Sequence, residues 1–302
     1  MTDLLAQRVA IVTGAGRGLG RAHALALARN GARVLVNDLD AASAEQVCRE
    51  IAQFGGETLG STASVQDFAA VEAMVDAALR RWDRVDILVS NAGILRDRTF
   101  AKLDLADFRL VLDVHLMGAV HCAKAVWPHM KDRGYGRIVL TTSSSGLYGN
   151  FGQSAYAAAK MALVGLMQTL ALEGERHGIH VNCIAPSAAT QMTRDLWSQE
   201  DLAALDPRRV SPAVVALASE AAPNKRIVLA GAGSFKLAHV TMTPGIYLPD
   251  DRSSAEQLLA LWERIEDRAA ERVPASGFEQ YRFEVERARA GAGGQNAGDP
   301  NR

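Results

Sequence analysis

The chain has 302 residues, 48% of them hydrophobic and 22% charged, with a formal net charge of -1 and a pI near 6.7. This is an ordinary globular composition, and the chain is long enough to bury a core without cross-links. It lacks the basic footprint that would point to a nucleic acid or an anionic membrane surface, so neither is expected as a partner.

No uninterrupted apolar run approaches the roughly 18 residues of a membrane-spanning helix, so none is expected. Cys48, Cys122 and Cys183 sit in apolar stretches without metal-ligand spacing. They read as buried thiols in a reducing compartment, and no metal site is expected. Met1–Gln7 has no basic n-region and Pro300-Asn301-Arg302 is no peroxisomal address, so a cytoplasmic protein is expected.

Short apolar runs alternate with long amphipathic stretches. The runs are Arg8–Thr13, Arg33–Asn37, Thr58–Thr62, Val85–Ser90, Gly136–Thr142, His180–Ile184 and Ile227–Leu229. They are rich in Val, Ile and Leu, as strands covered on both faces are. Helical patterns lie between them, at Leu19–Asn30, Ala42–Phe54, Val65–Trp82, Leu105–Arg133, Ala155–His177 and Pro212–Leu217. The alternation predicts an α/β fold: a Rossmann-like, doubly wound parallel sheet of seven strands in a single domain. The expected boundaries are 1–245 for the catalytic domain, 246–288 for a C-terminal helical extension and 289–302 for a disordered tail. Within these, Ser187–Asp206 reads as a substrate lid and Ser253–Val273 as one helix.

The first strand runs into Thr13-Gly14-Ala15-Gly16-Arg17-Gly18-Leu19-Gly20, with a helix beyond. Glycines here let the backbone approach a pyrophosphate, and the helix N-terminus offers free N–H groups. A Gly-rich loop alone can mark an ordinary turn; its place between first strand and first helix favours a dinucleotide site. Asp38 follows the second strand, 18 residues past Gly20. A carboxylate there accepts hydrogen bonds from ribose hydroxyls and repels a 2′-phosphate, which favours NAD over NADP. A solvated strand-end Asp is the competing reading, and Arg17, able to approach a 2′-phosphate, is a counter-sign.

Tyr156 and Lys160 are four apart on a strongly helical stretch, which sets both on one face. Bringing a tyrosine from pH ~10 to near 7 takes about 4 kcal/mol. A cation about 5 Å away supplies roughly 3 kcal/mol at an effective dielectric of ~20, and a positive nicotinamide could supply the rest. The pair is thus adequate as a general base. Ser143, 13 residues before Tyr156, ends the fifth strand, where a hydroxyl can hold a substrate oxygen. Ser144 and Ser145 are its near rivals. Asn91-Ala92-Gly93 ends the fourth strand at the same rim.

Together these residues resemble the short-chain dehydrogenase/reductase superfamily, over about Leu5 to Leu237. The resemblance implies that Thr13, Gly14, Arg17, Gly18, Leu19 and Gly20 carry the cofactor loop. It implies that Asn91, Ala92 and Gly93 line the adenosine side and that Ser143, Tyr156 and Lys160 are catalytic, with Lys160 also holding the nicotinamide ribose. Pro186 and Thr190 would flank the carboxamide, with Gln191 and Thr193 as alternatives to Thr190. The usual acidic adenine contact is replaced by Ala63-Ser64, which leaves Ser64 and the backbone at Val65. The fourth catalytic position, commonly Asn, is His115, which could act through a water on its backbone carbonyl or simply pack in the helix.

A closer likeness is carried by Val36-Asn37-Asp38-Leu39, Gly93-Ile94-Leu95-Arg96-Asp97-Arg98, Val114-His115-Leu116, Trp127-Pro128-His129-Met130-Lys131 and Tyr148-Gly149-Asn150-Phe151-Gly152-Gln153. These resemble the (3R)-hydroxyacyl-CoA dehydrogenase unit of type 2 multifunctional enzymes. The likeness implies a secondary alcohol substrate, a hydroxyacyl-CoA, a hydroxysteroid or another hydrophobic alcohol, and a homodimer or homotetramer. Arg96 and Arg98 could face a CoA phosphate or be solvated loop charges. A catalytically silent NAD-binding sensor on the same fold is the alternative from another class.

Overall fold

The computed structural model describes residues 3–189, 198–249 and 254–295. Thr190, Gln191 and Thr193 therefore lie outside the described residues, as do the middle of the expected lid and the end of the expected tail. Two compact units are present, Met1–Ala238 and His239–Arg302.

The apolar runs form the strands of the first unit: β1 (Val9–Thr13), β2 (Arg33–Asn37), β3 (Thr58–Ser61), β4 (Ile87–Ser90), β5 (Gly136–Thr141), β6 (Ile179–Ser187) and β7 (Ile227–Gly231). They pair in parallel in the order β3-β2-β1-β4-β5-β6-β7. An eighth strand, β8 (Ser234–Ala238), was not expected from the sequence; it pairs antiparallel with β7 across a two-residue turn at Ala232 and Gly233.

Helices cover both faces: α1 (Gly18–Arg29), α2 (Ala41–Gln53), α3 (Phe68–Trp82), α4 (Leu105–Leu112), α5 (Gly118–Arg133), α6 (Ser144–Tyr148), α7 (Ser154–Gly174), α8 (Gln199–Ala204) and α9 (Ser211–Ala218). Aspartates start several of them. Asp40, Asp67 and Asp104 accept hydrogen bonds from the backbone N–H groups of Ala42, Ala69 and Ala106, which would otherwise be unpaired. Val9 and Ile11 point to the α3/α5/α7 side and Ala10 and Val12 to the α1/α2/α9 side, so each strand serves two cores.

The segments Leu105–Arg133 and Ser154–His177 have the length and hydropathy, 1.3 each, of a membrane span. Both are sheet-covering helices here. Cys122, Val126 and Met130 from one, and Leu163, Val164 and Met167 from the other, share a buried core with Leu88 and Ile138. The expected single helix Leu105–Arg133 is interrupted by a π-helical turn over Asp113–Met117, where the Gly118 N–H bonds the Asp113 carbonyl. Cys122 and Cys183 are buried as expected, whereas Cys48 is only partly so.

In the second unit, the expected helix Ser253–Val273 is two short ones, α10 (Ala255–Ala260) and α11 (Trp262–Glu266). Residue Leu261 leaves the helical region (φ -109, ψ 12), and beyond α11 the chain extends so that Arg272 pairs antiparallel with Met242. Helix α12 (Gly277–Gln295) runs on through residues whose composition suggested a disordered tail.

Candidate active site

Strand order reverses between β1 and β4, whose neighbours run outward to opposite edges, so their carboxyl ends open a crevice. A cleft of about 840 Å³ lies there. Its lining includes the predicted Gly14, Arg17, Gly18, Leu19, Gly20, Asp38, Ser64, Val65, Asn91, Ala92 and Gly93. Thr13 has a different place: its side chain is fully buried, and its hydroxyl accepts from the backbone N–H groups of Asn91 and Ala92. The Asn91 amide returns two bonds, to the carbonyls of Thr13 and Gly14, both at 3.1 Å. Thr13 and Asn91 thus lock the glycine loop to the end of β4.

Within that loop Gly20 packs so closely that a Cβ would stand 2.1 Å from the Gly14 carbonyl oxygen. Only glycine lets the first turn of α1 come that near, which brings its N–H groups to the cleft. The Asp38 carboxylate accepts from Gly16 N–H at 2.9 Å and Asp40 N–H at 3.0 Å. A backbone cradle for phosphates with a carboxylate beyond it fits an adenine dinucleotide. The cleft also takes in Asn37, Leu39, Ala63, Gln66, Ile94, Leu95 and Val114, which sequence reasoning did not assign as cofactor contacts. Most are immediate neighbours of assigned residues, so strand-end adjacency was the available signal.

Ser143 lies two residues past β5 and caps α6, its Oγ accepting from Ser145 N–H at 3.1 Å. Tyr156 and Lys160 lie on the first turns of α7. A hydrogen bond with Ser143 favours ionisation of Tyr156, yet burial outweighs it and, with the Asp97 carboxylate, holds the phenol above its usual range. Lys160 is buried, its ammonium nitrogen 2.5 Å from the Thr141 carbonyl oxygen and 5.5 Å from the Tyr156 ring centre. Burial brings it down to about 7. The three catalytic candidates therefore converge, but the folded chain alone opposes ionisation of both Tyr156 and Lys160.

His115 sits in the π turn, 4% exposed. Its Nε2 lies 2.8 Å from the Ile94 carbonyl oxygen and 3.0 Å from the Ile94 N–H, so this one nitrogen bonds the Ile94 backbone as donor or as acceptor according to the tautomer. Burial, and secondarily the charge of Lys160, lower it to about 3, so it is neutral at physiological pH. The ring presses on Gly93, where a Cβ would stand 2.3 Å from its Cε1. The packing role that the sequence left open for this side chain is thus a specific one: it joins the π turn to the end of β4. Pro186 lies near the end of β6, paired with Ala230, and is not among the cleft residues.

A second cluster borders Tyr156. Gln153 donates to the Asp97 carboxylate at 2.7 Å and accepts from Ser145 Oγ at 2.8 Å, while Arg98 N–H bonds the Gly152 carbonyl. Gln153 had not been singled out as functional; its place three residues before Tyr156 was the only local signal.

A Rossmann-type sheet with a glycine loop at the switch point and a Ser–Tyr–Lys cluster beside it defines an oxidoreductase that acts on CH–OH groups with a nicotinamide cofactor. The short chain dehydrogenase family profile matches residues 8–201, and the chain belongs to that family. It is 42% identical over 281 residues to a short-chain type dehydrogenase/reductase of Mycobacterium tuberculosis, covering 90% of this chain and 97% of that one. It is 43% identical over 273 residues to peroxisomal multifunctional enzyme type 2 of Drosophila melanogaster, covering 86% of this chain but only 45% of that one. The solved structure of that fly enzyme superposes with a TM-score of 0.81 at 36% identity, covering 94% of this chain and 50% of that one. A 7α-hydroxysteroid dehydrogenase complexed with NADH and 7-oxo glycochenodeoxycholic acid superposes at 0.72 with 30% identity, covering 77% and 96%.

Proposed function

We propose that the protein is an NAD-dependent dehydrogenase that interconverts a 3-hydroxyacyl thioester, of the CoA type, with its 3-oxo form. The observation that carries the reaction is the meeting of Ser143, Tyr156 and Lys160 beside the dinucleotide cleft. Asp38, fixed at the adenosine end, supports NAD.

Ser143 and Tyr156 hold the carbinol oxygen, and Tyr156 as phenolate takes its proton. The bound nicotinamide supplies the hydride acceptor. Lys160, anchored on the Thr141 carbonyl, holds the ribose and favours the phenolate when charged. His115 orients the Tyr156 ring. Ser64 and Val65 take the adenine side, and Pro186 with Thr190 the carboxamide side.

The thioester reading rests on the likeness to the multifunctional enzymes and on the rim of the site. Phe100, Tyr148 and Phe151 are exposed on segments that the Arg98–Gly152 bond draws together, an apolar margin suited to an acyl chain. Arg96 and Arg98 stand on the same loop, within reach of an anionic carrier; Arg96 also pairs with Asp107 at 3.5 Å. A hydroxysteroid is the second reading, favoured by the likeness to the 7α-hydroxysteroid enzyme. A cytoplasmic homodimer or homotetramer remains part of the proposal, for which light scattering is the check on subunit number.

Steady-state rates with NAD and NADP on 3-hydroxyacyl-CoA thioesters, hydroxysteroids and simple secondary alcohols test the reading. The thioesters with NAD should give the highest kcat/KM. A hydroxysteroid turned over a hundredfold better would replace the thioester proposal.

A further inference from the structure

The reading of Asp38 as the residue that selects NAD meets an electrostatic difficulty. Arg17 lines the same cleft as Asp38. One arginine and one aspartate cancel, and a neutral site would discriminate little against a 2′-phosphate carrying about two negative charges. Asp40 changes the sum. Its carboxylate lies 3.3 Å from the Arg17 guanidinium, and with Asp38 it leaves the three groups with a net charge of -1.

Asp40 is held firmly for this task. As the N-cap of α2 it accepts from Ala42 N–H at 3.2 Å and from Ser43 Oγ at 2.5 Å. Its own backbone N–H donates to Asp38, so the two carboxylates are fixed as one unit. Arg17, immediately before Gly18 in the loop, lines the cleft and pairs with that unit through Asp40 while its side chain stays more than half exposed.

We propose that Asp40 is a positioning residue for cofactor choice: by engaging Arg17 it withholds the one loop cation that could bind a ribose 2′-phosphate. This deepens the NAD reading above and rests on it. Asp38 excludes the phosphate directly, and Asp40 acts through Arg17. The arrangement also makes the preference adjustable, since a change of one charge outside the ribose contact would relax it without disturbing Asp38.

Asp40→Asn is the informative variant, because asparagine caps helices as well as aspartate does and the start of α2 is preserved. Equilibrium fluorescence titrations of NADH and NADPH would be run on the wild type, Asp40→Asn, Arg17→Ala and the double variant, with thermal melts as a check on folding. The wild type should bind NADH more tightly. Asp40→Asn should shift the ratio toward NADPH by about fivefold, the scale of an exposed pair of this kind. In the Arg17→Ala background the same change should move the ratio by less than about twofold, since the cation it releases is gone. A ratio unmoved by Asp40→Asn, or moved equally with and without Arg17, overturns the inference while leaving the NAD reading intact. A wild type that prefers NADPH overturns both.

Discussion

The His115 imidazole meets the Tyr156 phenol edge-on, ring centres 5.2 Å apart and planes at 89°. The same imidazole bonds Ile94 and packs on Gly93, so one neutral side chain connects the segment after β4, the π turn and Tyr156. π-helical turns recur at functional sites because they re-aim one residue of an otherwise regular helix, and His115 is the residue re-aimed here.

His115→Ala should lower stability by about 1–3 kcal/mol, through a cavity and an Ile94 backbone group left without its ring partner. It should also lower kcat by about tenfold or more through loss of the edge contact that orients Tyr156. Since His115 stays neutral down to about pH 3, the shape of the kcat/KM profile between pH 5 and 8 should be unchanged. Urea melts and pH–rate profiles of the two proteins check both parts.

Acid sensitivity should arise from histidines held neutral. His23 is fully buried against Ser211 (Nδ1 to Oγ 2.9 Å), and burial lowers it to about 3, like His115. Below about pH 6.5 the unfolded chain binds protons that the folded chain refuses, so stability is full above that value and falls as pH drops toward 3. Urea midpoints at pH 7.5, 5.5 and 4.5 should decline in that order, and His23→Leu should flatten the slope. A midpoint independent of pH across this range would rule out the mechanism.

Lys160 carries the same sign into the alkaline range. Folded, it titrates at about 7; unfolded, near 10.5. Between those values the unfolded chain holds a proton that the folded chain lacks, so stability rises with pH across the window. Lys160→Met should therefore be inactive yet more stable than wild type at pH 6.5, by about 1–2 kcal/mol, with the gain shrinking as pH approaches 10. Chemical denaturation at two pH values measures it.

Asp97 raises the Tyr156 phenol and is itself held by Gln153 at 2.7 Å. Neutralising it as Asp97→Asn should lower the Tyr156 value and move the acid limb of the kcat/KM profile for alcohol oxidation to lower pH. Gln153→Ala frees the Asp97 carboxylate without removing its charge, so it should leave that limb in place while raising KM, by loosening the 94–98 loop. Profiles of the two variants separate the electrostatic part from the positioning part.

The sequence made the fold legible because its signals are local. Unbroken apolar runs mark strands covered on both faces, and Gly14–Gly20 and the Tyr156–Lys160 spacing are read within one turn or one helix. What escaped depends on distant contacts or on atypical turn chemistry. Strand β8 follows a turn made by Ala232 and Gly233, both at positive φ (50 and 78), where Asn-Gly or Asp-Gly is the usual signature, and its own residues are mostly exposed. The π turn has no sequence mark, because its residues read as ordinary helix. The bond from His115 to Ile94 spans 21 positions, and the sandwich of Gln153 between Asp97 and Ser145 joins the 94–98 loop, α6 and the start of α7. Spacing also says nothing about burial, which is the largest influence on both Tyr156 and Lys160.

The most direct test is the initial rate of NADH formation from a (3R)-3-hydroxyacyl-CoA and NAD, measured by absorbance for the wild type and Tyr156→Phe, with NADH binding checked by fluorescence. The account predicts turnover by the wild type and a loss of about a hundredfold or more in the variant, which should still bind NADH. Equal rates in the two proteins, or NADH binding with no turnover of any secondary alcohol by the wild type, would contradict it.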